Sequence, residues 1–497
     1  MSLLDTDRTT VRIASREAET AIGDVLRDAD SEVHAVGSTG VPAVEPLVLL
    51  TEDGRTAFFA ACSVGRAEAL LTGLEDGFDS VVDGADAVVE HDPNAARLPA
   101  TDLPELSAGQ RTVLGPCGWL RPTDPDDYEA AVGFGGSDPE TIRELGAEIL
   151  GRGWGDWCQD RTLADSWETA READGDPTVV VNAHGTGADT LLSSSAPFAV
   201  LDGAAAVARA TDAERIVVYI SQDDDHAVDQ VETAVWGYPD PPVSMSVVTG
   251  PAVYRAAEPT MAIEAIEGNH RLEARLRPPG PDETGIHDRP TVVHTARTVA
   301  HLAAALDTGS PADSRLVTVT GDVAAPATVE LPERARLAAA LDAVDGAEEY
   351  KAACVGGRFG GLTDSLDVRA GPESLLDAGL GTEGVVELLG EDRCVVKFVG
   401  ERAQFAADTN CGRCVPCREG TTQLAELLRD LYDGRYRRDG IEELIGVMER
   451  SSICTFGVDA GRPTRTAMTE FESEFHAHAD GRCPAGSCPR KAEVSTT

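Results

Sequence analysis

The chain has 497 residues, 42% of them hydrophobic, and its 86 acidic against 42 basic side chains leave a formal charge of −44. Such a length holds three or four domains with buried cores, and the hydrophobic content excludes wholesale disorder. The charge excludes a general nucleic-acid binder, which needs a basic footprint, and disfavours docking on an anionic membrane.

All but three of the basic residues are arginine, the lysines being Lys351, Lys397 and Lys491. Molar salt shortens the Debye length to about 3 Å and screens this much charge. The composition therefore points to a cytoplasmic protein of an extreme halophile. The opening MSLLDTDRTTVRI carries early acids and no apolar stretch, so no signal peptide is expected. No run reaches the ~18 apolar residues of a membrane span, so direct membrane insertion is not expected.

In chain order, VRIA, a helical EAETAIGDVLRDA, EVHAVG, PLVLLT, TAFFAAC and a helical GRAEALLTGL make a small α/β unit over residues 1–85. Residues 86–112 are Asp/Ala/Pro-rich and read as a linker. From 113 to 310 helices alternate with β runs such as TVVVNAH, RIVVYIS and VSMSVVTG. That pattern favours a mostly parallel sheet with ligands at its C-terminal strand ends. Residues 311–395 open with a ββαβ order that suits a β-grasp-like insert, its helix expected in ERARLAAALDAV. Residues 396–480 are helical, with Leu424, Leu427, Leu428 and Leu431, then Ile441, Leu444, Ile445 and Met448, at i, i+3, i+4, i+7 spacing. Residues 481–497 form a tail. The fold class expected is a multidomain α/β protein with a C-terminal helical domain.

Eleven cysteines are present, six of them after residue 410. In a reducing compartment they are metal ligands or buried thiols before they are disulfides. Cys411, Cys414 and Cys417 have C-x2-C-x2-C spacing, which lets three thiolates converge from one loop. A [4Fe–4S] cubane needs a fourth, and Cys454 is the candidate. A four-cysteine zinc site is the alternative, although pairs of C-x2-C are more usual there than a triple.

CGRCVPCREGTTQL followed by ICTFGVDA resembles the SCGxCxPCREGT and ICxLGD segments of the NADH-binding flavoprotein subunit of respiratory complex I. It is similar also to the related subunits of bifurcating hydrogenases and NAD-dependent formate dehydrogenases. The resemblance implies Cys411, Cys414, Cys417 and Cys454 as ligands of a [4Fe–4S] cluster that takes electrons from a flavin. It extends over most of the chain. STGVPAVEPLVLL looks like a thioredoxin-like [2Fe–2S] domain that lacks its cluster cysteines, and VTVTGDVAAPATVELP resembles the β-grasp insert.

In the cofactor motifs the match is partial. The family's RGRGGAGFPTGxKW becomes LGRGWGDWCQDRTLADSW, which keeps Gly151, Arg152 and Gly153 but places Trp154 at a glycine and Ser166 at the lysine. Arg161 is a candidate for the missing positive charge. NADEGEPG becomes NAHGTGAD, which keeps Asn182. YxCGEETAL becomes YRAAEPTMA, which keeps Tyr254 and Glu258, and VNNVET becomes VHTART. The resemblance implies FMN and NAD(H) as cofactors held by Gly151, Arg152, Gly153, Asn182, Tyr254 and Glu258, and an electron-transfer partner chain. His184 and His294 are expected as polar fillers. The tail RCPAGSC, with Cys483 and Cys488, joins Cys394 and His476 or His478 as a candidate zinc site. Cys62, Cys117, Cys158 and Cys354 are expected as packing residues. The functional expectation is an NADH-to-flavin-to-cluster relay. Its alternative is a non-enzymatic iron–sulfur subunit with an empty flavin pocket.

Overall fold

The computed structural model describes residues 9–16, 21–27, 32–185, 187–347 and 349–488. The opening residues 1–8, parts of the first expected helix and the tail from 489 lie outside the described residues. The chain forms three sheets and a C-terminal set of helices.

The first sheet holds β1 (Thr10–Ala14), β2 (Glu32–Val36), β3 (Leu47–Glu52), β4 (Arg55–Phe59) and β5 (Ala87–Glu90) in the order β2-β1-β3-β4-β5. Only β1 and β2 pair in parallel. Its strands carry apolar residues on both faces, as the period of two requires for a sheet covered on each side. Val11, Ile13, Val48, Leu50, Ala57 and Phe59 meet α1 (Ala21–Arg27) and α2 (Val64–Leu74). Ala14, Val36, Leu47, Leu49 and Phe58 instead join the core of the central domain.

The expected linker is corrected on two counts. Residues 87–90 pair with β4 as an edge strand, since Ala87, Val88 and Val89 meet Phe58, Ala57 and Thr56. Further on, Leu98, Leu106 and Ala108 are buried in the shared core, followed by Val113, Leu114 and Trp119 of the next expected domain. Glu330 holds this segment, accepting from the backbone N–H groups of Val113 (2.7 Å) and Leu114 (3.2 Å). Scattered apolar residues without a period hid this packing.

The central sheet is all parallel. It contains β6 (Thr178–Asn182), β7 (Arg215–Ser221), β8 (Ser244–Gly250) and β9 (Thr291–Thr295) in the order β8-β7-β6-β9. Around it lie α3 (Leu163–Glu172), α4 (Ala188–Ser195), α5 (Pro197–Thr211) and α6 (Ala296–Thr308). After β6 the chain builds towards β7 and β8, then returns to place β9 on the other side. The β6/β9 boundary is therefore a switch point, where a crevice opens beyond the C-terminal strand ends.

The third sheet runs β11-β10-β14-β12-β13, from β10 (Ser314–Gly321), β11 (Ala327–Pro332), β12 (Ala352–Val355), β13 (Gly361–Thr363) and β14 (Val385–Leu389). Its central pair, β10 and β14, is parallel. The helix expected in ERARLAAALDAV is a 3-10 helix, Leu337–Ala343. The N–H groups of Leu337 and Ala338 donate to the carbonyls of Val368 and Leu366, which pins the start of the segment against 366–368.

The C-terminal helices are α7 (Val395–Thr409), α8 (Val415–Leu431), α9 (Arg438–Ser451), α10 (Thr455–Asp459), α11 (Arg462–Glu470) and α12 (Glu472–Ala479). The expected stripes are inside: Leu424, Leu428, Leu431, Ile441 and Ile445 are buried with Phe398, Val399 and Phe475. No single helix among the described residues is long and apolar enough to cross a membrane.

Candidate cluster site and the flavin-type pocket

Cys411, Cys414, Cys417 and Cys454 line one cavity with Met261, Ala274, Ile453, Phe456 and Arg413. Cys414 caps the start of α8, Cys417 lies in its first turn, and Cys454 caps α10. The N-terminus of α8 thus faces the thiols with its partial positive charge, which favours thiolate. The loop between α7 and α8 is tied down: Asn410 Oδ1 accepts from Gly412 N at 2.9 Å, and Arg418 Nη1 donates to Gly412 O at 2.9 Å.

Cys417 and Cys454 are each 4% exposed. Burial, then the neighbouring thiols Cys414, Cys454 and Cys411, push the Cys417 thiol well up. Burial, then Glu258 and Cys411, push Cys454 up to about 12. Four thiols lining one apolar cavity are a ligand set for a metal cluster. They fit a [4Fe–4S] group.

A second set of ligand-type atoms lies at the end of the chain. Cys394, His478, Cys483 and Cys488 bring their donor atoms within 4.8 Å of one another. Cys394 Sγ is 3.2 Å from His478 Nε2, and Cys488 Sγ is 3.5 Å from Cys394 Sγ. His478 Nδ1–H donates to the Glu474 carbonyl at 2.7 Å, which leaves Nε2 free to ligate. Burial raises the Cys483 thiol, but hydrogen bonding, first from Cys488, outweighs it and brings the group down to about 6. Three sulfurs and one imidazole nitrogen are a tetrahedral zinc set. His476 is not part of it: its side chain is 62% exposed and faces Glu472.

The residues of the flavin-type motifs do come together, at the switch point, but most are engaged with the protein. Gly151 lies so close to Asp156 that a Cβ there would sit 2.5 Å from its Oδ1. The Arg152 guanidinium turns inward onto the carbonyls of Leu150 (2.6 Å) and Ser314 (3.3 Å), and burial followed by the neighbouring Arg315 lowers it to about 10. Gly153 holds a left-handed turn at φ +87. Asn182 Nδ2 donates to Gly155 O (2.9 Å) and Ala257 O (2.8 Å). Glu258 is fully buried, caps the helix Pro259–Ile266 through the N–H groups of Thr260 and Met261, and pairs with Arg277. Arg161 is exposed, donates to Trp157 O at 2.9 Å and lines neither neighbouring cavity, so it does not supply the missing charge.

His294 is fully buried between Trp167 and Asp156. The Trp167 indole can only donate, so His294 Nε2 accepts at 2.9 Å and Nδ1–H donates to Asp156 Oδ1 at 3.2 Å. This polar-filler role was expected, but the Asp156 and Trp167 partners were not. His184 likewise rests on the Tyr219 ring, with Nε2 2.8 Å from Pro251 O. Cys62, Cys117, Cys158 and Cys354 are buried.

The reading of the sequence also missed Asp189 and Arg297. Asp189 Oδ1 accepts from Arg297 N (3.0 Å), and Arg297 Nε and Nη2 grip both of its oxygens at 2.5–3.1 Å. Burial opposes the charge on Arg297, and Asp189 more than restores it. Both substitutions stand in the motifs quoted above, at the last glycine of NADEGEPG and the glutamate of VNNVET, and were the available signal.

Trp154 stacks on Tyr254, with ring centroids 4.4 Å apart and planes inclined by 19°. With Glu383, these two side chains line both cavities of the region, one of about 250 Å³ towards Asn182, His184 and Arg297 and one of about 270 Å³ towards Thr382 and Asp459. Beyond Tyr254, Phe359, Phe405 and Phe456 continue the aromatic packing to the thiol cavity.

Comparison with known proteins agrees with this division. Residues 147–304 match the Nuo51 FMN-binding domain, and residues 397–478 match the NADH-ubiquinone oxidoreductase-F iron-sulfur binding region. An NADH-quinone oxidoreductase subunit of Streptomyces coelicolor is 32% identical over 264 residues, covering 49% of this chain and 58% of that protein. The chain thus spans less than two thirds of the length of that relative. An NADP-reducing hydrogenase subunit of Solidesulfovibrio fructosivorans is 26% identical, over 75% of this chain and 84% of its own. The crystal structure of an NAD+-reducing [NiFe]-hydrogenase in the H2-reduced state shares the fold, with a TM-score of 0.61 at 23% identity over 95% of this chain and 85% of that one. Residues 147–304 and 397–478 are thus similar to an FMN-binding and an iron–sulfur-binding domain, and the chain is similar to NADH-quinone oxidoreductase and hydrogenase subunits.

Proposed function

We propose that this chain is an iron–sulfur electron-transfer subunit of the NADH dehydrogenase flavoprotein type, passing single electrons to a partner chain. The observation that carries the reading is the convergence of Cys411, Cys414, Cys417 and Cys454 on one apolar cavity. A [4Fe–4S] cluster held by these thiolates supplies a one-electron carrier. The protein's part is to position and dry it: Met261, Ala274, Ile453 and Phe456 exclude water, and the start of α8 offsets thiolate charge. Relatives named as subunits of larger enzymes support the partner.

Anaerobically purified protein should be brown and carry about four irons per chain. Cys414→Ser should lose most of that iron. Unchanged iron content would refute the ligand set.

The longer route from NADH through flavin to the cluster is a second reading, favoured by the match of residues 147–304 to the FMN-binding domain. Its measure is NADH:ferricyanide activity together with flavin released on denaturation. Around the cluster domain we read the first sheet as a thioredoxin-like domain without cluster cysteines and the third as a β-grasp insert, the latter from its parallel central pair. The set Cys394, His478, Cys483 and Cys488 is read as a zinc site that fastens the tail to α7 and α12.

A further inference from the structure

We infer that the flavin-type pocket is filled by the chain's own side chains, Trp154 taking the ring chamber and the Asp156 and Asp189 carboxylates taking the anion seat at the start of α6, so that FMN is excluded. This rests on the relay reading above only for the cluster and opposes the second, flavin-fed reading, since the pocket is argued from its own geometry.

In an open parallel sheet, a phosphate-bearing ligand seats at the switch point with its anion on the N–H groups of a helix start. Here that helix is α6, and three of the N–H groups at its start are engaged. Thr295 N donates to Asp156 Oδ2 at 3.0 Å, Arg297 N to Asp189 Oδ1 at 3.0 Å, and Thr298 N to Thr295 Oγ1 at 3.3 Å. A phosphate arriving there would meet two buried carboxylates and would have to displace both. Two nearby cations are engaged, Arg297 on Asp189 and Arg152 on backbone carbonyls, while Arg358, which also lines the cavity, lies over the Phe405 ring.

The substitutions complement one another. Aspartate stands where the family motifs have glycine at 156 and 189, and arginine stands at the glutamate position 297 to pair with one of them. Glycine at 185, in place of an acid, makes the room: a Cβ there would lie 2.3 Å from Asp189 Oδ2. Random loss of a binding site leaves unpaired charge. This set leaves an ion pair and a buried His–Asp hydrogen bond.

The ring chamber is closed by volume. Trp154 and Tyr254 stand between cavities of about 250 and 270 Å³. Each is smaller than the roughly 300–1,000 Å³ of typical cofactor pockets. The indole is 5% exposed and stacked, so it is held in place by packing.

The test uses the full chain with its cluster, iron and visible absorbance being measured first in every protein. Wild-type protein with full iron should release no flavin on denaturation and should not quench added FMN or lumiflavin. Stoichiometric FMN in that protein would overturn the inference. Trp154→Gly should gain lumiflavin quenching, because the phosphate-free ring tests the chamber alone. Equal lumiflavin behaviour of variant and wild type would overturn the assignment of Trp154. Adding Asp156→Gly and Asp189→Gly frees the N–H groups of Thr295 and Arg297 and should raise FMN affinity above that for lumiflavin by tenfold or so, and no preference would overturn the carboxylate part. Iron missing while flavin is also absent would instead count against the relay reading, so the two failures are separable.

Discussion

The thiol cavity and the flavin-type pocket share an aromatic wall and have opposite histories. Around the thiols all four candidate ligands line one cavity, and Asn410 and Arg418 tie down the loop that carries Cys411 and Cys414. In the pocket, Asn182, Glu258 and Arg152 persist, but each now bonds protein groups. Retained identity therefore signals retained function only where the side chain still faces the cavity. Glu258 shows this most sharply, because it keeps the family residue and uses it as a helix cap and as the partner of Arg277.

Three sets of substitutions sharpen the contrast, taken from the largest expected effect. Asp189→Ala leaves Arg297 charged and buried, and should cost about 3–5 kcal/mol of stability, read from thermal or denaturant unfolding. The double variant Asp189→Ala/Arg297→Met should recover much of that loss. Wild-type stability in the single variant would mean that the pair does not hold the pocket shut.

At the tail, Cys488→Ser and His478→Ala should each remove about one zinc per chain by metal analysis, as expected for a four-ligand site. His476→Ala should retain it, since that ring faces Glu472 in solvent. Zinc loss in all three, or in none, would break the ligand assignment.

The smallest effect concerns Glu383, which lines both cavities. Burial pushes its carboxyl from the ordinary 4.5 up to about 7, with Arg297 pulling the other way. A carboxyl raised on folding binds a proton more tightly in the folded chain, so its contribution is full below about 4.5 and is lost as pH rises towards 7. Glu383→Gln should flatten the stability profile across that window and raise the melting temperature above pH 7 by a few degrees, roughly. A profile parallel to wild type would contradict the buried placement.

Much of the fold was legible because strands and helices follow local periods. β6, β7 and β8 are plain β-branched runs, and the leucine stripe of α8 is buried as its spacing requires. The segment after β4 was not legible. Its strand is four residues long, and its remaining anchors, such as Leu98 and Trp119, are set by docking against other elements. The choice between His476 and His478 was likewise beyond the sequence. Residues two apart on a helix point about 200° apart, so only one can face the core, and the packing of α12 selects which.

By itself the sequence pointed to Cys411, Cys414, Cys417 and Cys454 as candidate ligands, because three of the four lie within seven residues, and all four line one cavity. It also showed that the nicotinamide and flavin motifs had changed, although a chain with so many acids had lost acids there. Tertiary structure alone decided what that change does. Asp156 meets His294 across 138 residues, and Asp189 meets Arg297 across 108. No local period encodes pairs so far apart, since the β6/β9 switch point is what brings their segments side by side.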